Sequence, residues 1–430
     1  MFFILFLMPF SVFAQNGEII SYREMVELTL KNNFDLLVAK NNATISIMQN
    51  NYGNAGFLPK MDIVASGNIA NNNTHQEFSS GTGVDKNNVH SNNLSTGAYL
   101  AWTIFDGFKM FATKERLNLL EQQGELNFKI QLENTIENVT LLYYQIVKQN
   151  QLIKGIQASM AVSDERIKVA ETRIKVGSGS NVELLQAKLD FNAQKSNLIS
   201  QRNTLNEYKS QLLVLAKAES SIRFSVDSSF VFDDIQSMES IKEKIDRDNN
   251  SILFARKNIL VSKQNIKIIK SQTLPTVTIN SNYLFGRSEN GAGLILLNRN
   301  LGFNAGLSAS WNIFNGSLTR TQLKVASIQL QNSSLNETYT KLHLFSNADM
   351  AFMRWQGDKE LVDLEEENIK LADQSLHITT ERLKLGLGNY LEIKESQNSY
   401  EAAVTRLVNA RYNLKVSETT LKKLTGELVK

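Results

Sequence analysis

Trp102-Thr-Ile-Phe-Asp-Gly107 returns as Trp311-Asn-Ile-Phe-Asn-Gly316 at an offset of 209 (311 − 102), and this pair decides how the chain is organised. Arg173-Ile-Lys-Val-Gly177 returns as Arg382-Leu-Lys-Leu-Gly386 at the same offset, and Leu198, Leu205 and Leu212 match Leu407, Leu414 and Leu421. Upstream, Leu58-Pro59 returns as Leu274-Pro275, but at an offset of 216 (275 − 59). The first copy therefore carries about seven extra residues between proline and tryptophan, an insertion of the kind a surface loop tolerates. Four dissimilar landmarks in one order mark an internal duplication. The first repeat is read as residues 15–220, a linker as 221–236 and the second repeat as 237–430.

Between each proline and its tryptophan the hydrophobic period is two. Met61, Ile63, Ala65, Gly67 and Ile69 alternate with Asp62, Val64, Ser66 and Asn68, and Val277, Ile279, Ser281, Tyr283 and Phe285 alternate with Thr278, Asn280, Asn282 and Leu284. The pattern predicts two strand hairpins, about 60–105 and 276–314, with polar tips over 71–93 and 286–300. Each strand is expected to be about ten residues long, the length that tilts across a bilayer. Leu100, Trp102, Ile104, Leu307, Ala309, Trp311 and Ile313 form the expected lipid-facing set, with the tryptophans at the interface. A soluble sandwich also alternates, but two hairpins so far apart in sequence make a poor one.

Pro59 and Pro275 mark helix-to-strand transitions, because proline disfavours the α region in its predecessor. Helices are predicted before them, near 22–56 and 238–272. Asp106 and Asn315 are favoured helix N-caps. Beyond Gly107 and Gly316 nothing breaks a helix until Gly177 and Gly386, about seventy residues or roughly 100 Å at 1.5 Å per residue. Leu132, Ile136, Val139, Leu142 and Ile146 give the first long helix a heptad-like seam. The chain turns at tips 176–181 and 385–390, where glycine permits positive φ. A helix about half as long then returns, and the opening helix of each copy is expected to stack end-on to complete it.

Composition narrows the function. The 430 residues include three prolines and no cysteine, which removes disulfides, thiolate metal sites and a cysteine nucleophile. The formal charge of +3 comes with no concentrated basic block, so nucleic acid is not indicated. His75, His90, His343 and His377 are scattered, and no nucleophile elbow, phosphate loop or metal-ligand spacing appears. No enzyme, cofactor or metal is expected. Residues 1–14 read as a secretory leader ending in Val12-x-Ala14. No later stretch approaches a membrane-spanning helix, so any crossing is by strands. The fold class is an α+β membrane protein. Four strands cannot close a barrel, so several copies must share one of eight, twelve or sixteen strands. A periplasmic coiled-coil adaptor or scaffold is the alternative, and it would lack the alternating strands.

The order of leader, helix, Leu-Pro, strand hairpin, Trp-x-Ile-Phe-[Asp/Asn]-Gly, long helix and glycine tip, given twice, resembles the outer-membrane efflux protein family, the TolC-like channels. The likeness covers essentially the whole mature chain. It implies a homotrimer in the cell outer membrane, with a shared twelve-strand β-barrel continuing into a periplasmic α-helical barrel. It implies an exit duct for efflux or type I secretion, docked to a periplasmic adaptor (membrane fusion protein) and an inner-membrane pump. Val176, Gly177, Ser178, Gly179, Leu385, Gly386, Leu387 and Gly388 match the docking tips. The family's pore-gate acids fall just beyond the tip glycines, at Glu183, Glu392 and Glu395. Three-fold symmetry would turn each into a ring with a field selective for cations. The best-known members tether the closed tip with an Arg two places after the second tip glycine and a Tyr three before it. Those positions are Gly388 and Leu383 here, so a different latch is expected. The exported cargo is not encoded in any of these residues.

Overall fold

The computed structural model describes residues 18–218, 224–235, 237–292 and 295–429. The expected leader lies outside them, as do residues 221–223 and 236 of the linker. The duplication reappears as matched lengths. Helix α1 (Tyr22–Asn32) has 11 residues, as does α6 (Met238–Asp248). The long helices α4 (Lys109–Lys175) and α8 (Leu318–Lys384) have 67 each, and the return helices α5 (Asn181–Leu215) and α9 (Tyr390–Leu424) have 35 each. Neither long helix contains proline, and each rises about 100 Å.

Two compact units cut across the repeats, each drawing on both copies. The first comprises residues 18–41, 126–253 and 339–429 of those described. In it α5 lies beside α4, with Gln149 Nε2 donating to Gln201 O at 3.0 Å. Helix α9 adjoins α4, with Gln397 Nε2 donating to Ser159 O at 2.9 Å, and α8 adjoins α9 through Arg406 and Glu365 at 2.9 Å. Met25, Val139, Tyr143, Ile146, Val147 and Leu212 anchor its core, joined by Phe224 and Val226 of β4 (Phe224–Val226). Strand β4 pairs in parallel with β1 (Glu18–Ile20). From β4 the chain crosses all four helices. Phe224 O accepts from Lys209 of α5, Ser228 O from Gln151 of α4, and Val231 O from Lys415 of α9, while Asp234 approaches Lys359 of α8.

The opening helices do not run unbroken to the prolines. Asn33 ends α1 with ψ 128 and Asn249 ends α6 with ψ 120, and both are buried. Each side-chain amide donates, at 2.9 Å, to the last carbonyl of a return helix, Asn33 to Leu215 and Asn249 to Leu424. Each Oδ1 accepts from backbone N–H groups of the helix that follows, α2 (Phe34–Gln49) or α7 (Asn250–Lys270). Asparagine competes with the helix for backbone partners, and here it also satisfies a carbonyl that helix geometry leaves orphaned. One side chain per copy thus hydrogen-bonds both helix ends across the end-on junction.

The second unit, residues 42–125 and 254–338, carries the sheet. Helix α7 lies between α4 and α8, with Arg116 donating to Asn265 at 3.5 Å and Ser262 bonded to Ser333 at 2.9 Å. Helix α2 lies on the other side of α4, where Asn50 bonds Glu121. A short helix α3 (Tyr52–Ala55) and a 3-10 turn (Ser271–Thr273) lead to Pro59 and Pro275, and strands begin at the next residues. Strands β2 (Lys60–Glu77), β3 (Gly83–Asp106), β5 (Thr276–Asn290) and β6 (Leu297–Ser310) form one antiparallel sheet in that order.

These strands have 18, 24, 15 and 14 residues, longer than the ten expected. Most of 71–93, expected to be loop, is strand, and only residues 78–82 connect β2 to β3. Ladder bonds are made by backbone, so they continue where the side chains become asparagine and serine. The register gathers the apolar alternates of all four strands on one face. Met61, Leu100, Ser281 and Ala305 form one row, Ile63, Ala98, Tyr283 and Phe303 the next, and Trp102, Ile279 and Leu307 another. The opposite face carries rows such as Asp62, Tyr99, Asn282 and Asn304.

Leu100, Trp102, Leu307 and Ala309 share the apolar face. Ile104 differs from expectation, because a register shift between Thr103 and Phe105 puts Phe105 opposite Val277 instead. Trp311 and Ile313 also differ, since β6 ends at Ser310. The tryptophans close equivalent corners, Trp102 Nε1 donating to Phe57 O at 2.8 Å and Trp311 Nε1 to Thr273 O at 3.0 Å.

Candidate functional site

The two helical tips are built alike. Gly177 (φ 76) and Gly386 (φ 78) adopt the left-handed conformation that ends α4 and α8. Ser178 N then bonds Arg173 O, and Leu387 N bonds Arg382 O, both at 2.9 Å. Gly179 and Gly388 serve a different need, close approach. A Cβ on Gly179 would lie 2.7 Å from Ile174 N, and one on Gly388 3.2 Å from Leu383 N. Ser180 and Asn389 then cap α5 and α9 through the N–H groups of Val182 and Glu392. Val176, Leu385 and Leu387 are left exposed at the turns.

The three candidate gate acids have different surroundings, and no bond joins them. Glu392 accepts from the Asn389 amide at 3.2 Å and lies 3.8 Å from Arg382. Glu395 is exposed on the next turn of α9. Glu183, half-buried in the first turn of α5, lines a small cavity with Arg166, Arg173, Leu383 and Tyr390.

Beneath the tips lies a polar network that motif reading missed. Arg166 of α4 is buried and donates to Asp190 of α5 at 3.1 Å and to Gln397 of α9 at 2.9 Å. Its guanidinium also stacks over the Tyr390 ring, 4.4 Å from the centroid. The Tyr390 hydroxyl donates to Asp190, and Lys394 Nζ lies 3.3 Å from the same carboxylate. Further along, Gln397 donates to Ser159 and Ser163, and Gln194 donates to Glu401. Burial pushes the Asp190 carboxyl up, but hydrogen bonds from Tyr390, Arg166 and Lys394 together hold it below the usual aspartate range. Desolvation and the Asp190 hydrogen bond push the Tyr390 phenol up.

A signal for this network was present in the sequence. At the 209 offset, Arg166, Asp190, Tyr390, Lys394 and Gln397 correspond to Ser375, Ser399, Asn181, Leu185 and Lys188. The network occupies positions where the copies disagree in size or charge. On the other side of α9 the contacts are apolar: Ile393 packs with Leu376 and Leu383, alongside one Ser375–Ser396 hydrogen bond of 3.3 Å. No group of residues that could hold a metal occurs among the described residues. No helix among them is long and apolar enough to cross a membrane.

Comparison with known proteins agrees with the geometry. A family model described as outer membrane efflux protein matches residues 25–216 and 244–427. The outer membrane protein TolC of Escherichia coli is 22% identical over 363 residues, covering 80% of this chain and 71% of that protein. Among solved structures, CusC superposes with a TM-score of 0.78 at 17% identity, covering 96% of this chain and 95% of its own. The Campylobacter jejuni outer membrane channel CmeC has a TM-score of 0.78 at 19% identity, covering 94% and 85%.

Proposed function

The chain belongs to the outer membrane efflux protein family, and from that premise we propose that three copies close into one exit duct spanning the outer membrane and continuing as a periplasmic helical tunnel. The observation that carries this reading is a pair of unpartnered edges. Strands β2 and β6 end the sheet with no partner among the described residues. In lipid an open edge costs several kcal/mol per unsatisfied backbone group. Exposed apolar side chains tell the same story. Leu318, Val325, Leu335, Leu342, Leu364 and Leu371 are exposed along α8, and Val182, Leu185, Leu189, Ile199 and Val214 along α5. Unlike surfaces meeting between copies make a head-to-tail interface, which closes into a ring where the rotation between copies allows. Strand direction allows it, since β6 of one copy runs antiparallel to β2 of the next.

In this reading the exposed tips dock a periplasmic adaptor that leads to an inner-membrane pump, and the pump selects the cargo. The acids Glu183, Glu392 and Glu395 form rings where the tunnel narrows. The Arg166–Asp190–Tyr390 network takes the place of the missing Arg and Tyr latch and ties the first hairpin to α9 of the second. Because the chain lacks cysteine, disulfide trapping has no background. Cysteine pairs placed along β2 and β6 should give a crosslinking ladder that stops at three chains. A ladder ending at one, two or four would reject the trimeric duct.

A further inference from the structure

We propose that each chain holds one anionic phospholipid by its headgroup, in a cleft at the helix–strand transition between α4 and α7. The cleft is about 420 Å³. Phe108 and Phe111 form one wall, 61% and 57% exposed, and Lys267 and Lys270 of α7 the other. Neither lysine forms an ion pair among the described residues. Glu115 also lines the cleft, leaving it one positive charge in excess.

Ring contacts place this cleft on the lipid side. Phe105 stands on the apolar face of the sheet, opposite Val277. It meets Phe108 edge to face at 5.2 Å, Phe108 meets Phe111 at 6.1 Å, and Phe111 meets Phe57 at 5.1 Å. Phe57 in turn accepts the Trp102 indole N–H. The apolar sheet face thus passes into an aromatic band and then into cationic side chains, the order of acyl chain, interface and headgroup. Lysine stems can lie along the rings while the ammonium groups reach a phosphate.

The second copy offers no such site. The counterparts of Phe108 and Phe111 are Ser317 and Arg320, and those of Lys267 and Lys270 are Asn51 and Asn54. The duplication has kept the corner and lost both its aromatic and cationic walls.

The test uses the full-length protein reconstituted in mixed phosphatidylglycerol and phosphatidylcholine and then examined by native mass spectrometry. Phosphatidylglycerol should be retained in preference, one tightly held molecule per chain. Lys267→Gln with Lys270→Gln should weaken that preference about thirtyfold, on the usual attraction of two basic residues at an anionic surface. Phe111→Ser should weaken it as well, while Lys263→Gln, on α7 but outside the cleft, should leave it unchanged. Equal retention of the two lipids by the unaltered protein, or a preference unaffected by the double lysine change, overturns the site. The inference rests on the outer-membrane reading, so heat-modifiable migration is scored on the same samples. Normal insertion without lipid preference sinks the lipid site alone; failure to insert sinks the reading beneath it too.

Discussion

The two helical hairpins have the same length, the same tip turn and the same kind of cap, yet their interiors are held differently. The first pairs α4 with α5 through a buried guanidinium and a carboxylate, Arg166 with Asp190. Near its tip the second pairs α8 with α9 through Leu376, Leu383 and Ile393, with one serine pair beside them, and its Arg406–Glu365 ion pair lies farther from the turn. Duplication preserved the backbone and let the packing diverge. The difference also has a direction, because Arg166 and Asp190 both reach Tyr390 and its neighbours on α9, so the polar network joins one hairpin to the other. Apolar packing tolerates small shifts at graded expense, whereas a buried ion pair that loses one member leaves an uncompensated charge.

Paired substitutions in the two copies test this contrast. Asp190→Ala should have the largest effect, about 3–5 kcal/mol, by stranding buried Arg166. Hydrogen exchange should show it as lost protection around 159–170 and 390–401, and bilayer recordings as raised basal conductance. Ser375→Ala in the second hairpin should cost about 1 kcal/mol or less. Similar losses at both sites would erase the contrast. Arginine at Leu100 or at Ala309 should impair trimer assembly by about 2–4 kcal/mol near the midplane. Here the copies should behave alike, since both residues share the apolar face, and normal trimer yield would reject the face assignment.

Asn33→Ala and Asn249→Ala should cost about 1–3 kcal/mol each, because each leaves a helix-end carbonyl unpaired, partly buried at Leu215 and buried at Leu424. Denaturation midpoints of the two variants should match, and a harmless change at either would show that the junction holds without its amide. The smallest effect concerns acid. Asp190 has its folded value lowered, so its stabilisation is present above the ordinary aspartate value of 3.8 and is lost as pH falls through the lower folded value. Conductance attributable to this network should stay flat from neutral pH to about 4 and rise only below. Asp190→Asn should abolish that rise. A transition near pH 6 that survives in this variant would assign acid sensing to other groups.

Most of the fold could be read from the sequence because its landmarks are local. Glycine at 177 and 386, proline at 59 and 275, and the tryptophan hexapeptides each act through their own backbone or an immediate neighbour. Strand length was not readable, because the Asn- and Ser-rich stretch over 71–93 lacks alternation and is held by its ladder partners. The helix breaks at Asn33 and Asn249 were missed for a similar reason. Asparagine inside a helical stretch is ambiguous, and the carbonyls that decide it, Leu215 and Leu424, lie 182 and 175 residues away. At the candidate site the tip glycines and acids were visible as motifs. Arg166 and Asp190 were not, because their meaning depends on which helices become neighbours.

The segment from Phe224 to Asp234 that crosses α5, α4, α9 and α8 has a mechanical consequence. A backbone bonded in turn to four helices ties them together, and its reach cannot exceed about 3.3–3.6 Å per residue. The tips are then the free ends of levers that start at this tie. From Tyr144, which stacks on Phe230 of this segment, to Gly177 the lever is about 50 Å long. A rigid-body tilt of about 10° about that tie would carry a tip about 9 Å sideways.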